Sequence, residues 1–145
     1  MQAELIPFIV PEKASILERI EKEIAHGSHS VPDSFTTYFD EAFIQTQLTK
    51  LFKQLKKNYK ITQAWVHVLG PGQSHSYHNH ATAVGVIFLK VSDNSGDLVF
   101  DDQKITVRPI EDHFILVPAE EAHSTTENKS NHPRIALAFS LEELN

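Results

Sequence analysis

The sequence predicts a mainly β fold with N-terminal helices: a double-stranded β-helix, or jelly-roll barrel, with two helices packed outside it. Three observations carry that prediction. Apolar residues recur at helical spacing in two stretches before residue 60, and eight short apolar runs separated by turn residues follow. A length of 145 residues suits one hydrophobic core. The chain therefore reads as one domain over 1–145, with a helical N-terminal layer over 1–60 and a jelly-roll core over 61–141.

In chain order, the first helix is expected from Glu12 to Ala25. Ile16, Leu17, Ile20 and Ile24 fall on one face, Pro11 sits at the entry and Gly27 follows the end. Residues 26–39 are turn-rich, with scattered aromatics and no sustained period, and read as a connector laid over the domain. Asp40 can cap a second helix ending near Asn58, in which Phe43, Ile44, Leu48, Leu51, Phe52 and Leu55 form one stripe and the lysines face water. The β runs are 61–69, 75–80, 83–91, 97–100, 104–107, 114–117, 122–126 and 134–140. They are divided by turns such as Gly70-Pro71-Gly72, Asn94-Ser95-Gly96, Asp101-Asp102 and Asn128 to Pro133. Short strands after helices fit a jelly roll with a helical layer on one sheet.

Composition narrows the function. The formal charge is −6, and the only basic cluster is Lys53, Lys56, Lys57 and Lys60 at one expected helix end, so no nucleic-acid partner is expected. The absence of cysteine excludes disulfides, thiolate metal sites and a Cys nucleophile, which leaves His and carboxylate as metal ligands. Met1 to Val10 lacks the basic start and cleavage site of a signal peptide, and no stretch approaches about 18 apolar residues, so no membrane partner is expected and the cytoplasm is the expected location. A homodimer is compatible with the sequence.

Nine histidines are the unusual feature, and three of them lie between Ser74 and Ala81. His78 and His80 stand two apart in an expected strand, where side chains i and i+2 share a face about 6.6 Å apart. A His-x-His pair is not by itself a metal site and needs a third ligand. His123 supplies one, at the start of a later strand of the same barrel. Three neutral imidazoles suit Fe(II), Zn, Ni, Mn or Cu alike. Arg134 opens the last strand, and if it faces inward then Ala136, Ala138 and Ser140 face inward with it. That slot, small-walled with a cationic end, fits a dicarboxylate. On the first long strand Gln63, Trp65 and His67 share a face and are candidates for the pocket wall, the alternative being a hydrogen-bonded strand histidine beside a core tryptophan. His75 and Tyr77 precede the ligand pair and are candidates for touching substrate or gating the mouth. His26, His29, His113 and His132 lie in turn-rich segments and are expected to be solvated.

In this order and spacing, the stretch from Trp65 to Leu141 resembles the 2-oxoglutarate/Fe(II)-dependent oxygenase superfamily, in particular small oxygenase-like proteins of phage and bacterial genomes. The matching residues are Trp65, Gly72, His78-x-His80, Val84 to Val91, Ser95 to Phe100, Phe114 to Pro118, His123 and Pro133 to Phe139. The resemblance implies a dioxygenase, a hydroxylase of unknown substrate. It would have His78, His80 and His123 on Fe(II), Arg134 and the Ala136 position at the far carboxylate of 2-oxoglutarate, and dioxygen as co-reactant. It implies no catalytic residue beyond the metal ligands. Two positions depart from the pattern: His80 stands where the superfamily usually has a carboxylate, and Ala136 stands where Ser or Thr often adds a hydrogen bond to the cosubstrate. The chain also resembles cupins more weakly, through Gly72 with His78-x-His80 and Pro118 with His123, although the Glu expected after His80 is absent. That second resemblance implies a three-histidine metal dioxygenase that does not use 2-oxoglutarate. A non-catalytic metal- or ligand-binding jelly roll is the third alternative.

Overall fold

In the computed structural model, residues 4–25, 34–100 and 104–144 are described. His26, His29 and the Asp101-Asp102 turn lie outside them. The elements run β1 (Ile6–Pro7), α1 (Lys13–Ala25), β2 (Phe35–Phe39), α2 (Glu41–Gln47), α3 (Thr49–Leu55), β3 (Tyr59–Leu69), β4 (His75–His78), β5 (Ala83–Lys90), β6 (Leu98–Phe100), β7 (Ile105–Val107), β8 (His113–Val117), β9 (His123–Thr125) and β10 (Arg134–Glu143).

From β3 onward the chain moves back and forth between two antiparallel sheets. One has six strands in the order β1-β8-β5-β10-β3-β2, and the other has four in the order β4-β9-β6-β7. The eight expected strands are all present. The expected closed barrel is not: among the described residues no backbone ladder joins one sheet to the other. What holds the sheets together is side-chain packing. Val84, Phe88, Ile115, Ala136 and Ala138 from the larger sheet share a core cluster with Leu98, Phe100 and Val107 from the smaller one.

The other face of the large sheet carries the helices. Ile135, Leu137 and Phe139 of β10 pack with Ile16 and Ile20 of α1, Ile44 of α2, and Leu51 and Phe52 of α3. Strand alternation thus sends the odd residues of β10 to the helical core and Ala136 and Ala138 to the space between the sheets. Gly85 of β5 allows this closeness, since a Cβ there would fall 2.2 Å from Phe139 and 2.8 Å from Phe114.

Two expectations about the N-terminal half need correction. The second helix is two: Leu48, at φ −105° and ψ 6°, divides α2 from α3, and α3 ends at the left-handed Lys56 before Asn58 is reached. The cap reads as expected, with Asp40 Oδ2 accepting from the Phe43 backbone N–H at 3.1 Å. Within the connector, residues 35–39 form the edge strand β2, paired antiparallel with β3. Its period is two: Thr37 and Phe39 are buried against the helical side, while Thr36 and Tyr38 face the other way. No described helix is long and apolar enough to cross a membrane.

Candidate metal centre and anion pocket

The floor of the site follows from sheet register. Thr36, His67, Ala136 and Phe88 stand side by side across β2, β3, β10 and β5. The next row is Tyr38, Trp65, Ala138 and Val86. Apart from Tyr38, which is 60% exposed at the rim, these residues line one cavity of about 260 Å³ between the two sheets. The four-stranded sheet closes it from above with His75, His78, Leu98, His123 and Thr125.

His78, His80 and His123 meet in this cavity, with one ring nitrogen of each inside a group whose members all lie within 4.8 Å of one another. Their ring centroids are 4.3 Å (His78 to His123), 5.1 Å (His78 to His80) and 5.6 Å (His80 to His123) apart. The route to this convergence differs from the expected one. β4 ends at His78, so His80 comes from the following turn and not from an i, i+2 strand position. His78 is placed by direct pairing with His123 across β4 and β9. Between His75 and His78 the register slips, because His75 pairs with Thr125: Ser76 and Tyr77 on β4 oppose the single Ser124 on β9. This bulge lets His75 and His78, three residues apart, both line the cavity.

Hydrogen bonds fix two of the three rings. His78 Nδ1 lies 2.8 Å from the Ser76 carbonyl oxygen, and His123 Nδ1 lies 2.9 Å from that of Glu121. A carbonyl only accepts, so each Nδ1 carries a proton, and in the neutral ring it is Nε2 that presents the lone pair. That is the arrangement a metal-ligating histidine needs. Burial lowers the His123 pKa to about 4, despite the Glu121 carbonyl, and burial followed by the neighbouring His78 lowers that of His80. The neutral, ligating form is favoured. Among the described lining residues there is no carboxylate.

Arg134 lies at one end of the cavity and is 4% exposed. Its Nη1 donates to the Gly96 carbonyl at 3.3 Å, its guanidinium carbon stands 5.6 Å from the centroid of Phe88, and its Nε–H is buried with no partner. Gly96 suits this contact, since its φ of +104° and a Thr126 carbonyl oxygen 2.5 Å from where a Cβ would stand leave no room for a side chain. Burial lowers the Arg134 pKa to about 10, against the opposing pull of Asp97, so the group remains a cation at neutral pH. A buried cation with an unused donor is an open anion site.

Asn128, in the turn before Arg134, ties that turn to β3. It is fully buried, and its Nδ2 donates to the carbonyls of Leu69 and His132, each at 2.9 Å. Its Oδ1 accepts from the Ser130 backbone N–H at 3.0 Å and from Ser130 Oγ at 2.7 Å. The 128–133 turn is thereby tied to the end of β3, opposite the first residue of β10.

Of the other sequence candidates, Trp65, His67 and His75 line the cavity. His67 stacks on His75 with centroids 4.9 Å apart, and Trp65 stands 6.0 Å from His80. Gln63 does not join them. It shares their face of β3, but it pairs with Ser140, one row beyond Trp65, where it is exposed. Tyr77, at 48% exposure, also lies outside the cavity lining. His113 begins β8 instead of lying in a turn and is half-buried, while His132 is exposed as expected. Thr36 also lines the cavity, placed there by β2 and not by a connector.

No protein-family model matches the chain, and no curated protein matches it in sequence. Solved structures do match its fold. A viral collagen prolyl hydroxylase from Paramecium bursaria Chlorella virus-1, solved as its 2OG complex, aligns over 100% of this chain and 97% of its own with a TM-score of 0.73 and 16% identity. A 2OG-Fe(II) oxygenase family oxidoreductase from Burkholderia pseudomallei aligns over 89% and 78% with a TM-score of 0.64 and 17% identity. A cupin superfamily protein from Desulfitobacterium hafniense aligns over 97% and 98%, with a TM-score of 0.53 and 16% identity. The resemblance read from the sequence thus holds at the level of architecture: the chain has the fold of 2-oxoglutarate/Fe(II) oxygenase structures and, more distantly, of cupins.

Proposed function

We propose that the protein is an Fe(II)- and 2-oxoglutarate-dependent dioxygenase of small-molecule cosubstrate, dioxygen and a further substrate of unknown identity. The observation that carries this reading is the presence in one cavity of three converging imidazoles and a buried guanidinium with an unused Nε–H. The donor set fits a divalent metal, since His78 and His123 have their Nε2 lone pairs free and His80 is held neutral. It fits the cosubstrate too. Three neutral ligands leave the metal's charge uncompensated, Arg134 adds another positive charge, and a dicarboxylate supplies the anion that this acid-free lining lacks.

In this reading His78, His80 and His123 hold the metal, and Arg134 holds the far carboxylate of 2-oxoglutarate above the small Ala136. When bound, Fe(II) and 2-oxoglutarate supply the chemistry in which dioxygen decarboxylates the oxo acid to succinate and oxidises the substrate. The chain contributes placement. The Ser76 and Glu121 carbonyls aim the ligand rings, Asn128 sets the turn that aims Arg134, and Phe88, Val86 and Ala138 keep the floor apolar and dry. Tyr38 and Trp65, centroids 6.4 Å apart, form an aromatic rim where a substrate would enter.

The test is anaerobic addition of Fe(II) and then 2-oxoglutarate to the metal-free protein, followed by visible absorption. The expected result is a new charge-transfer band that is lost in His123→Ala and in Arg134→Ala, with metal content nearly intact in the latter. A histidine in place of the usual carboxylate, together with Ala136, favours a second reading, a three-histidine dioxygenase that does not use 2-oxoglutarate. Bound metal without the band would overturn the first reading and direct a screen of thiol substrates.

A further inference from the structure

Ala136 offers no hydrogen bond to an anion held by Arg134, yet the sheet places a polar side chain directly beside it. His67 is the cross-strand partner of Ala136 in the β3–β10 ladder. Arg134 lies two residues along β10 from Ala136, on the same face, so His67 and Arg134 stand diagonally across the pair, within reach of one small ligand. Both line the cavity, and Thr36 backs His67 from the opposite side. Among the described residues the ring nitrogens of His67 make no hydrogen bond, and its one ring contact is the stack on His75. Burial, with His75, Arg134 and His78 adding to it, lowers its pKa to about 3, so the ring is neutral and carries one N–H donor.

We propose that His67 is the second anchor of the anion pocket, donating its N–H to the same carboxylate that the Arg134 guanidinium grips, in the place that Ala136 leaves empty. This rests on the reading of the ligand as 2-oxoglutarate. The pocket then has a charged fork on β10 and a neutral donor on β3, and the His75 ring braces the donor from the smaller sheet. The ligand selected is an oxo acid with a second carboxylate; one ending in a methyl group would leave both donors unpaired in a buried place.

Calorimetric titration of the Zn(II)-loaded protein tests the assignment without turnover. The probes are 2-oxoglutarate and 2-oxovalerate, which has the oxo-acid end but no far carboxylate. His67→Phe keeps a flat ring and removes the donor, and is expected to weaken 2-oxoglutarate binding about tenfold, the cost of one hydrogen bond to a charged group. Binding of 2-oxovalerate and of Zn(II) is expected to stay unchanged. Adding Ala136→Ser to His67→Phe returns a donor to the pocket and should recover most of the loss. His67→Asn, which keeps a side-chain N–H, guards against a misfolded Phe variant. Unchanged 2-oxoglutarate affinity in both His67 variants, or an equal loss for both probes, overturns the assignment of His67 while leaving Arg134 in place. Failure of the unaltered protein to bind 2-oxoglutarate at all overturns both that assignment and the functional reading beneath it.

Discussion

The histidine cluster should make the metal-free protein sensitive to mild acid, and His67 sets the scale. Its folded pKa is about 3, lowered chiefly by burial, against about 6.5 for an unstrained imidazole. Between those values the unfolded chain takes up a proton that the folded chain refuses, so the stability that His67 contributes is present above pH 6.5 and is lost as the pH falls. Each pH unit is about 1.4 kcal/mol, so the step from pH 6.5 to 5 removes about 2 kcal/mol through His67 alone. His123, at about 4, adds a loss of the same sign and nearly the same size over this window, since both folded values lie below pH 5. Usual carboxylate values lie below this window. Urea unfolding at pH 7.5 and pH 5.0, followed by far-ultraviolet circular dichroism, reads the difference. His67→Phe should flatten the dependence by about 2 kcal/mol, and an equal pH slope in the two proteins would refute the reasoning.

Two further outcomes follow from the same geometry. Asn128→Ala removes four hydrogen bonds around a fully buried side chain and should cost about 3 kcal/mol in urea unfolding, together with weaker 2-oxoglutarate binding because the turn before Arg134 loosens. Zn(II) at 100 times its dissociation constant should raise the unfolding free energy by about 2.7 kcal/mol and lift the melting temperature accordingly, an effect that His123→Ala should abolish.

The positions that were readable in the sequence are those governed by local period. Arg134, Ala136 and Ala138 alternate with Ile135, Leu137 and Phe139, and the strand sends each set to the face that its character suits. The same alternation was present in Phe35 to Phe39, but five residues beside a turn-rich stretch do not separate an edge strand from a connector. Where placement depends on a partner far along the chain, local pattern is silent. Asn128 is fixed by the Leu69 carbonyl, 59 residues away, and His75 reaches the cavity through a bulge defined only by pairing with β9. His78 and His80 converge not through an i, i+2 strand spacing but across the end of β4, since the strand stops between them. Gln63 shows the converse limit: period two gives the face of a sheet and not how far along that face a cavity extends.

The division of β10 between its two faces bears on how such a protein can change. Ile135, Leu137 and Phe139 hold the helices, and Ala136 and Ala138 form floor, so one strand carries scaffold and chamber on alternate residues. Enlarging Ala136 or Ala138 would reshape the chamber without entering the helical core, and each floor row can vary through four strands independently. Single replacements of these small residues would therefore alter the chamber and the packing between the sheets while leaving the helical core's own side chains in place.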